Sequence, residues 1–236
     1  MNNDNSLNIE IKSSDIDGNN IVSDFDYKFI STCSYVLLGR NGAGKTTLFR
    51  MIAGLENRFK GTVQLNGKII KKPSKRIQLV FQDNRLLPWK TVYQNLKFIK
   101  PDISRDLAAR YLETLNLDRK IDSFPKNLSG GEESRASLLL TFLFPPNVLL
   151  LDEPFSGLDI YSLRTAINAI KDLKVKHPST LLLLVTHNLL TAYELADKIL
   201  ILDDETLHIN KIVEKSEVST IKELENIYNE FHNSRP

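Results

Sequence analysis

The chain has 236 residues, 42% of them hydrophobic and 25% charged, which suits a folded globular protein of one large or two small domains with a sizeable core. Its 31 basic and 29 acidic residues leave a formal charge of +2, so bulk electrostatics gives no reason to expect nucleic acid or an anionic membrane as partner. Cys33 is the single cysteine, which excludes an intramolecular disulfide and suits a reducing compartment. The polar opening MNNDNSLNIE lacks the basic and apolar segments of a signal peptide. The longest apolar runs fall well short of the ~20 residues that a spanning helix needs.

Taken in chain order, LNIEI, DFDYKF, YVLLG and TVQLNGKII read as short strands, the last broken by an Asn66-Gly67 turn that favours a hairpin. After the apolar run IQLVF, helical spacing takes over. SRDLAARYLETLNL sets Leu107, Tyr111, Leu112 and Leu115 on one face, with Ser104 as N-cap. A small helical subdomain is expected over about residues 84–137. The runs VLLLD, LLLLV and KILIL follow, alternating with helical stretches such as LRTAINAIKDLK and LLTAYELA. Runs apolar on both faces suggest parallel strands covered by helices. VSTIKELENIYNEF closes the chain with Ile221, Leu224, Ile227, Tyr228 and Phe231 at helical spacing, a helix expected to pack on its own domain.

GRNGAGKT, from Gly39 to Thr46, fits G-x-x-x-x-G-K-[ST] and has the required setting, an apolar strand before it and a helix-compatible stretch after it. Its glycines, Gly39, Gly42 and Gly44, let backbone N–H groups point at phosphates, and the helix that follows adds positive potential. Lys45 supplies a point charge to the β- and γ-phosphates, and the Thr46 hydroxyl is a ligand for Mg²⁺. In NVLLLDEP an apolar strand ends at Asp152, a second carboxylate for the metal, and Glu153 beside it is placed to take a proton from an attacking water. Capping or plain solvation is the other use of such adjacent acids. Guanine selectivity through N-K-x-D is not indicated, since Asn210-Lys211 is followed by Ile212-Val213; adenine is the expected base.

GRNGAGKTT, VFQDN, LSGGEES, NVLLLDEPFSGLD and LLVTHN occur in the order and approximate spacing of the ATP-binding subunits of ABC transporters, which the chain resembles over nearly its whole length. The resemblance implies an α/β fold, a P-loop NTPase of ABC type: a mainly parallel sheet core, an N-terminal antiparallel β subdomain and an inserted helical subdomain. It implies one ATP-binding domain over residues 5–215 and a helical tail over 216–236. In that family two ATPase domains face each other, and each ATP lies between the P-loop of one and the LSGG segment of the other.

By resemblance, then, Gly39, Asn41, Gly42, Gly44, Lys45, Thr46 and Thr47 hold the chain's own nucleotide. Ser129, Gly130 and Gly131 meet the γ-phosphate held by the partner, and Asp159 in SGLD crosses the dimer interface. Gln82 contacts Mg²⁺ and the attacking water, Glu153 is the base, and His187 bonds the γ-phosphate. Thr46, Gln82 and Asp152 form the metal set, and the cofactors are ATP and Mg²⁺. Read alone, LSGGEES is equally a Ser-capped helix after a loop, with Glu132 and Glu133 favouring its dipole.

Two departures stand out. The family's upstream aromatic, which stacks on adenine, is missing near Ile16 or Asp17, leaving Tyr27 or Phe29 as substitutes. Leu140 occupies the place of a usual arginine, so Arg135 is the main basic residue of that helix. DNRLLPWKTVYQNL resembles the segment after the Q-loop in importers of the nitrate, sulfonate and taurine type. Leu86, Leu87 and Trp89 either fill the helical subdomain's core or form a groove for a permease helix.

The expectation is an ATP-hydrolysing homodimer, peripheral on the cytoplasmic face of the membrane, that energises a separate integral permease. A solute-binding protein acts through that permease, and nucleic acid is not a partner. The rivals are the ATPase of an exporter or cell-division-type complex, and a soluble ABC-type mechanical ATPase.

Overall fold

The computed structural model describes residues 4–19, 21–40, 42–81, 86–203 and 207–232. In chain order the first elements are β1 (Ser6–Ser14), β2 (Ser23–Ile30), β3 (Ser34–Leu38), α1 (Lys45–Ile52), β4 (Phe59–Leu65), β5 (Lys68–Ile69) and β6 (Ile77–Val80). There follow α2 (Val92–Ile99), α3 (Arg105–Glu113), α4 (Gly130–Phe142), β7 (Val148–Asp152) and α5 (Ile160–Lys176). The last are β8 (Leu181–Thr186), α6 (Leu189–Leu195), β9 (Lys198–Leu202), β10 (Ile209–Glu214) and α7 (Ile221–His232). They fall into two units, one of Met1–Leu79, Pro146–Glu153 and Pro178–Pro236, the other of Val80–Pro145 and Pro154–His177.

The first unit holds two sheets. One, in the order β2-β1-β4-β5, is antiparallel. Alternation drives it: Leu7, Ile9 and Ile11 of β1 all point inward and are at most 1% exposed. The β4–β5 hairpin turns on Asn66 and Gly67, both at positive φ (52° and 74°), the geometry that matches strand twist in a two-residue loop. The Asn66 side chain also accepts from the Ser6 amide at 2.8 Å and donates to Asn5 Oδ1 at 2.9 Å, which ties the turn to the start of β1.

The other sheet runs β10-β9-β3-β8-β7-β6, with β3 parallel to β8 and β9, and β7 parallel to β8. Every residue of β3, β7 and β8 is buried, as continuous apolar runs require. α1 packs on β7, and α6 packs on β3 and β8. Truncating one of these leucines, Leu150 for example, would cost about 2–5 kcal/mol. The antiparallel edge strand β10 has no counterpart among the expected strands. Of its six residues only Val213 is buried, and Lys211 and Glu214 mask the run, as charges do on sheet edges. In the closing helix Leu224 is fully buried and α7 packs on α6.

The second unit is helical, and the start of each of its α-helices is capped. Thr91 and Gln94 form a reciprocal capping box on α2, Ser104 accepts from the Leu107 amide on α3, Ser129 and Glu132 form a box on α4, and Asp159 caps α5. Such caps satisfy orphan N–H groups at about 0.5–2 kcal/mol each. Arg135 of α4, 6% exposed, donates from Nε to the Leu115 carbonyl at 3.1 Å and hydrogen-bonds the Ser162 hydroxyl of α5. Of the face expected on α3, Leu112 and Leu115 are buried, whereas Leu107 and Tyr111 are only partly so.

Candidate functional site

In the first unit the carboxyl ends of β3, β7 and β8 deliver three loops to one place. This is where open sheets of mainly parallel strands present ligands. The loop after β3 runs from Gly39 to the start of α1. Gly44 stands there at φ 86°, and a Cβ on it would lie 2.4 Å from Ile21 Cγ2, so neither the conformation nor the space admits a side chain. Lys45 is 5% exposed. Its ammonium donates to the Gly39 carbonyl at 2.8 Å and the Arg40 carbonyl at 2.7 Å, which sets a buried positive charge at the heart of the loop. No acid sits in the first turn of α1, so the helix dipole there is uncancelled. Thr46 and Thr47 follow in that turn; Asn41 lies outside the described residues.

β7 ends on Asp152 and Glu153, 4% and 9% exposed. Burial raises the Asp152 carboxyl above its usual range, against the opposing pull of the Thr46 hydroxyl hydrogen bond and the Lys45 charge. Glu153 takes φ 46°, a left-handed conformation costly for a residue with a side chain. Three contacts hold it: its amide donates to the Val185 carbonyl at 3.1 Å, its Oε2 accepts from the Thr186 hydroxyl at 3.2 Å, and its Oε1 lies 3.0 Å from His187 Nδ1. Lys45 Nζ stands 3.9 Å from the same Oε1. The structure thus gathers Gly39, Lys45, Thr46, Asp152, Glu153 and His187 in one unit. Thr186 joins them unanticipated, although it stands in the LLVTHN stretch; its hydroxyl also accepts from the Asn188 amide at 3.0 Å, at the start of α6.

The donors present fit ATP and Mg²⁺. Thr46 and Asp152 offer a hydroxyl and a carboxylate that already touch, hard oxygen ligands of the kind Mg²⁺ takes. Among the described residues no cluster of three or more His, Cys, Asp or Glu forms a protein cage for a metal. The curled loop and the buried Lys45 suit the phosphates.

In the second unit Ser129 caps α4, accepting from the Glu132 amide at 3.2 Å, while Glu132 Oε2 accepts from the Ser129 amide at 2.9 Å. That Ser129 N–H holds the Glu132 carboxyl below its usual range, helped by Lys120 at 3.1 Å. Gly130 has open space around its α-carbon, and Gly131 faces Ser162 Oγ. Asp159 accepts from the Tyr161 and Ser162 amides, both at 2.9 Å, and from the Ser162 hydroxyl at 2.6 Å, which keeps its carboxyl low. Gln82 lies outside the described residues. Leu86 is buried and Trp89 is 69% exposed, so the tract divides between core and surface. Asn95, which sequence reasoning missed, shapes it: 3% exposed, it accepts from the Leu87 amide at 2.7 Å and donates to the Leu87, Lys90 and Thr91 carbonyls.

Of the two aromatics expected as substitutes, Phe29 is enclosed and Tyr27 is partly covered. Phe29 is fully buried, edge-on to Tyr35 with centroids 4.9 Å apart, and Tyr27 packs on Phe29 at 4.6 Å. Phe29 belongs to the core cluster, and Tyr27, partly buried, packs against it. Ile16 instead sits in a tight turn, exchanging backbone hydrogen bonds with Asn19 at 3.0 Å.

Residues 22–156 match the ABC transporter family. The chain is 36% identical over 181 residues to an aliphatic sulfonates import ATP-binding protein, SsuB, of Bacillus cereus, covering 75% of this chain and 72% of that one. It is 36% identical over 198 residues to SsuB 1 of Pseudomonas syringae pv. syringae, covering 83% and 80%. Its fold is similar, with a TM-score of 0.76 at 19% identity, to a dimeric ATP-binding cassette solved in a post-hydrolysis state with ADP and Pi, over 89% of this chain and 98% of that one. Among the described residues no helix is long and apolar enough to cross a membrane. With the phosphate loop, the carboxylate pair and the histidine in one place, these likenesses establish that the chain belongs to the ABC transporter family, as an ATP-binding and ATP-hydrolysing subunit.

Proposed function

We propose that two copies of this chain close on ATP and drive a separate membrane permease that imports a small solute of the nitrate, sulfonate and taurine class. The aliphatic sulfonates named for its relatives are the first candidates. The subunit then sits peripherally on the cytoplasmic face of the membrane, and a solute-binding protein delivers solute to the permease. The reading is carried by the meeting of Lys45, Thr46, Asp152, Glu153 and His187 at the ends of β3, β7 and β8.

In this reading the N–H groups of residues 42–47 and the Lys45 ammonium bind the phosphates and hold the γ-phosphoryl group in place. Bound Mg²⁺ supplies charge neutralisation there; Thr46 and Asp152, with Gln82, would hold it. Glu153 Oε1 or Oε2 takes a proton from water as the water oxygen bonds to γ-phosphorus and the bond to the bridging oxygen breaks, leaving ADP and phosphate. Thr186 and His187 fix the direction of that carboxylate. Ser129, Gly130 and Gly131 meet the nucleotide held by the second copy, and Asp159 lies at the copy–copy interface. Trp89 and its neighbours dock a cytoplasmic helix of the permease. The test is to isolate the complex from membranes, identify the permease and solute-binding protein, and measure ATP-dependent uptake of an alkanesulfonate. Co-purification with an exporter-type permease, or with no membrane protein, would contradict the reading.

A further inference from the structure

The helical unit contains a cavity of about 260 Å³, formed where α3 meets the C-terminal ends of α4 and α5. Its floor is apolar: Leu107 and Tyr111 of α3, Phe142 of α4, Ala169 and Leu173 of α5. Around the mouth stand Arg110, Lys176 and Asp172, all exposed, and the partly buried His177. Neither Arg110 nor Lys176 has an ion pair or side-chain hydrogen bond among the described residues. Two fixed cations against one carboxylate leave the mouth net positive over an oily floor. The size lies just under the ~300 Å³ at which pockets for larger ligands begin and suits a chain of a few carbons. The cavity also explains why Leu107 and Tyr111, set by spacing on the buried face of α3, are only partly covered.

We propose that this cavity binds a small organic anion with a short aliphatic body, its tail on Phe142 and Leu173 and its charged head between Arg110 and Lys176. The two helices whose C-terminal ends form it begin at Ser129 and Asp159. At 1.5 Å per residue those caps lie about 20 Å along α4 and α5 from Phe142 and Leu173. Arg135 clamps α4 to α5 through Ser162, so a ligand that wedges the far ends tilts both caps together. Occupancy therefore alters ATP hydrolysis, and this second half rests on the function proposed above.

The test is calorimetric titration of the full-length wild-type subunit, without nucleotide, using 1-hexanesulfonate, with hexyltrimethylammonium of the same tail as control. Saturable binding of the sulfonate and none of the ammonium is expected. Lys176→Glu and Arg110→Glu, both surface changes, weaken it by about tenfold or more, and Asp172→Asn strengthens it by roughly two- to fivefold. Ala169→Leu fills the floor and abolishes it. No saturable binding at millimolar sulfonate, equal binding of the ammonium, or wild-type binding by both charge-reversed variants overturns the site. With ATP present, saturating sulfonate should change the hydrolysis rate of wild type and not of Lys176→Glu; binding with an unchanged rate overturns the coupling half. Because the titration needs no turnover, a failed site is distinguishable from a failed ATPase, which would appear as wild-type protein that does not hydrolyse ATP.

Discussion

Glu153 Oε1 lies 3.0 Å from His187 Nδ1 while the Glu153 backbone is held at φ 46°. A left-handed glutamate costs roughly 1–2 kcal/mol, so the contacts that fix it must outweigh the cost. They aim a buried carboxylate at the phosphate loop. Glu153→Gln preserves the shape and removes the proposed base: turnover should fall about 10²-fold or more, while ATP binding survives and an ATP-bound dimer accumulates on gel filtration. Wild-type turnover would remove Glu153 from its assigned role.

Thr186 is a positioning residue. Its hydroxyl donates to Glu153 and accepts from the Asn188 amide, so Thr186→Val leaves the carboxylate held by His187 alone of the two side-chain bonds, while Thr186→Ser keeps both. Single-turnover kinetics should show the valine variant slowed by about tenfold with little change in ATP affinity, and the serine variant near wild type. Equal loss in both would mean that packing at Thr186 matters and the hydroxyl does not.

Asp152 and Thr46 share the proposed metal. Asp152→Asn keeps the hydrogen bond to Thr46 available and removes the charge, so the Mg²⁺ concentration that half-activates hydrolysis should rise by about tenfold or more. Chelation should abolish hydrolysis in the wild type. Activity at full rate in excess chelator would contradict the metal's part.

The LLPW tract makes a separable prediction. Trp89 is exposed, so Trp89→Gln should leave folding and basal ATP hydrolysis unchanged and weaken co-purification of the permease. Asn95→Leu, in contrast, strips four hydrogen bonds from the loop that carries Trp89. It should lower thermal stability by an amount equivalent to about 1–3 kcal/mol. A Trp89→Gln variant that assembles and transports normally would remove the docking role.

How far the sequence spoke depended on whether a feature was contiguous. The phosphate loop, the strand ending at Asp152 and the Ser104 and Ser129 caps are each written in a few adjacent residues, and β3, β7 and β8 are buried on both faces, so their apolar runs are unbroken. β10 was hidden because only Val213 turns fully inward. The Asn95 clamp depends on the Lys90 carbonyl and on the Leu87 amide and carbonyl, five to eight residues away along a non-helical path, which no spacing rule encodes. Thr186 was in view, but its role needs β7 and β8 side by side. Phe29 looked available as an aromatic because strand alternation does not say which face is enclosed by a neighbour such as Tyr35.

The central claim is that hydrolysis needs two copies, Lys45 from one and Ser129 from the other on each nucleotide. Lys45→Ala and Ser129→Arg chains should each be inactive alone, since every site in either homodimer carries one defect. Mixed in equal amounts, they form heterodimers in which one site has both defects and the other has none. The decisive measurement is the ATPase rate of that mixture against its separate components. Recovery to roughly one quarter of the wild-type rate, the share of intact sites under random pairing, is the predicted result. A mixture no more active than its parts, or a Ser129→Arg chain that hydrolyses ATP at the wild-type rate as a monomer, would contradict the account.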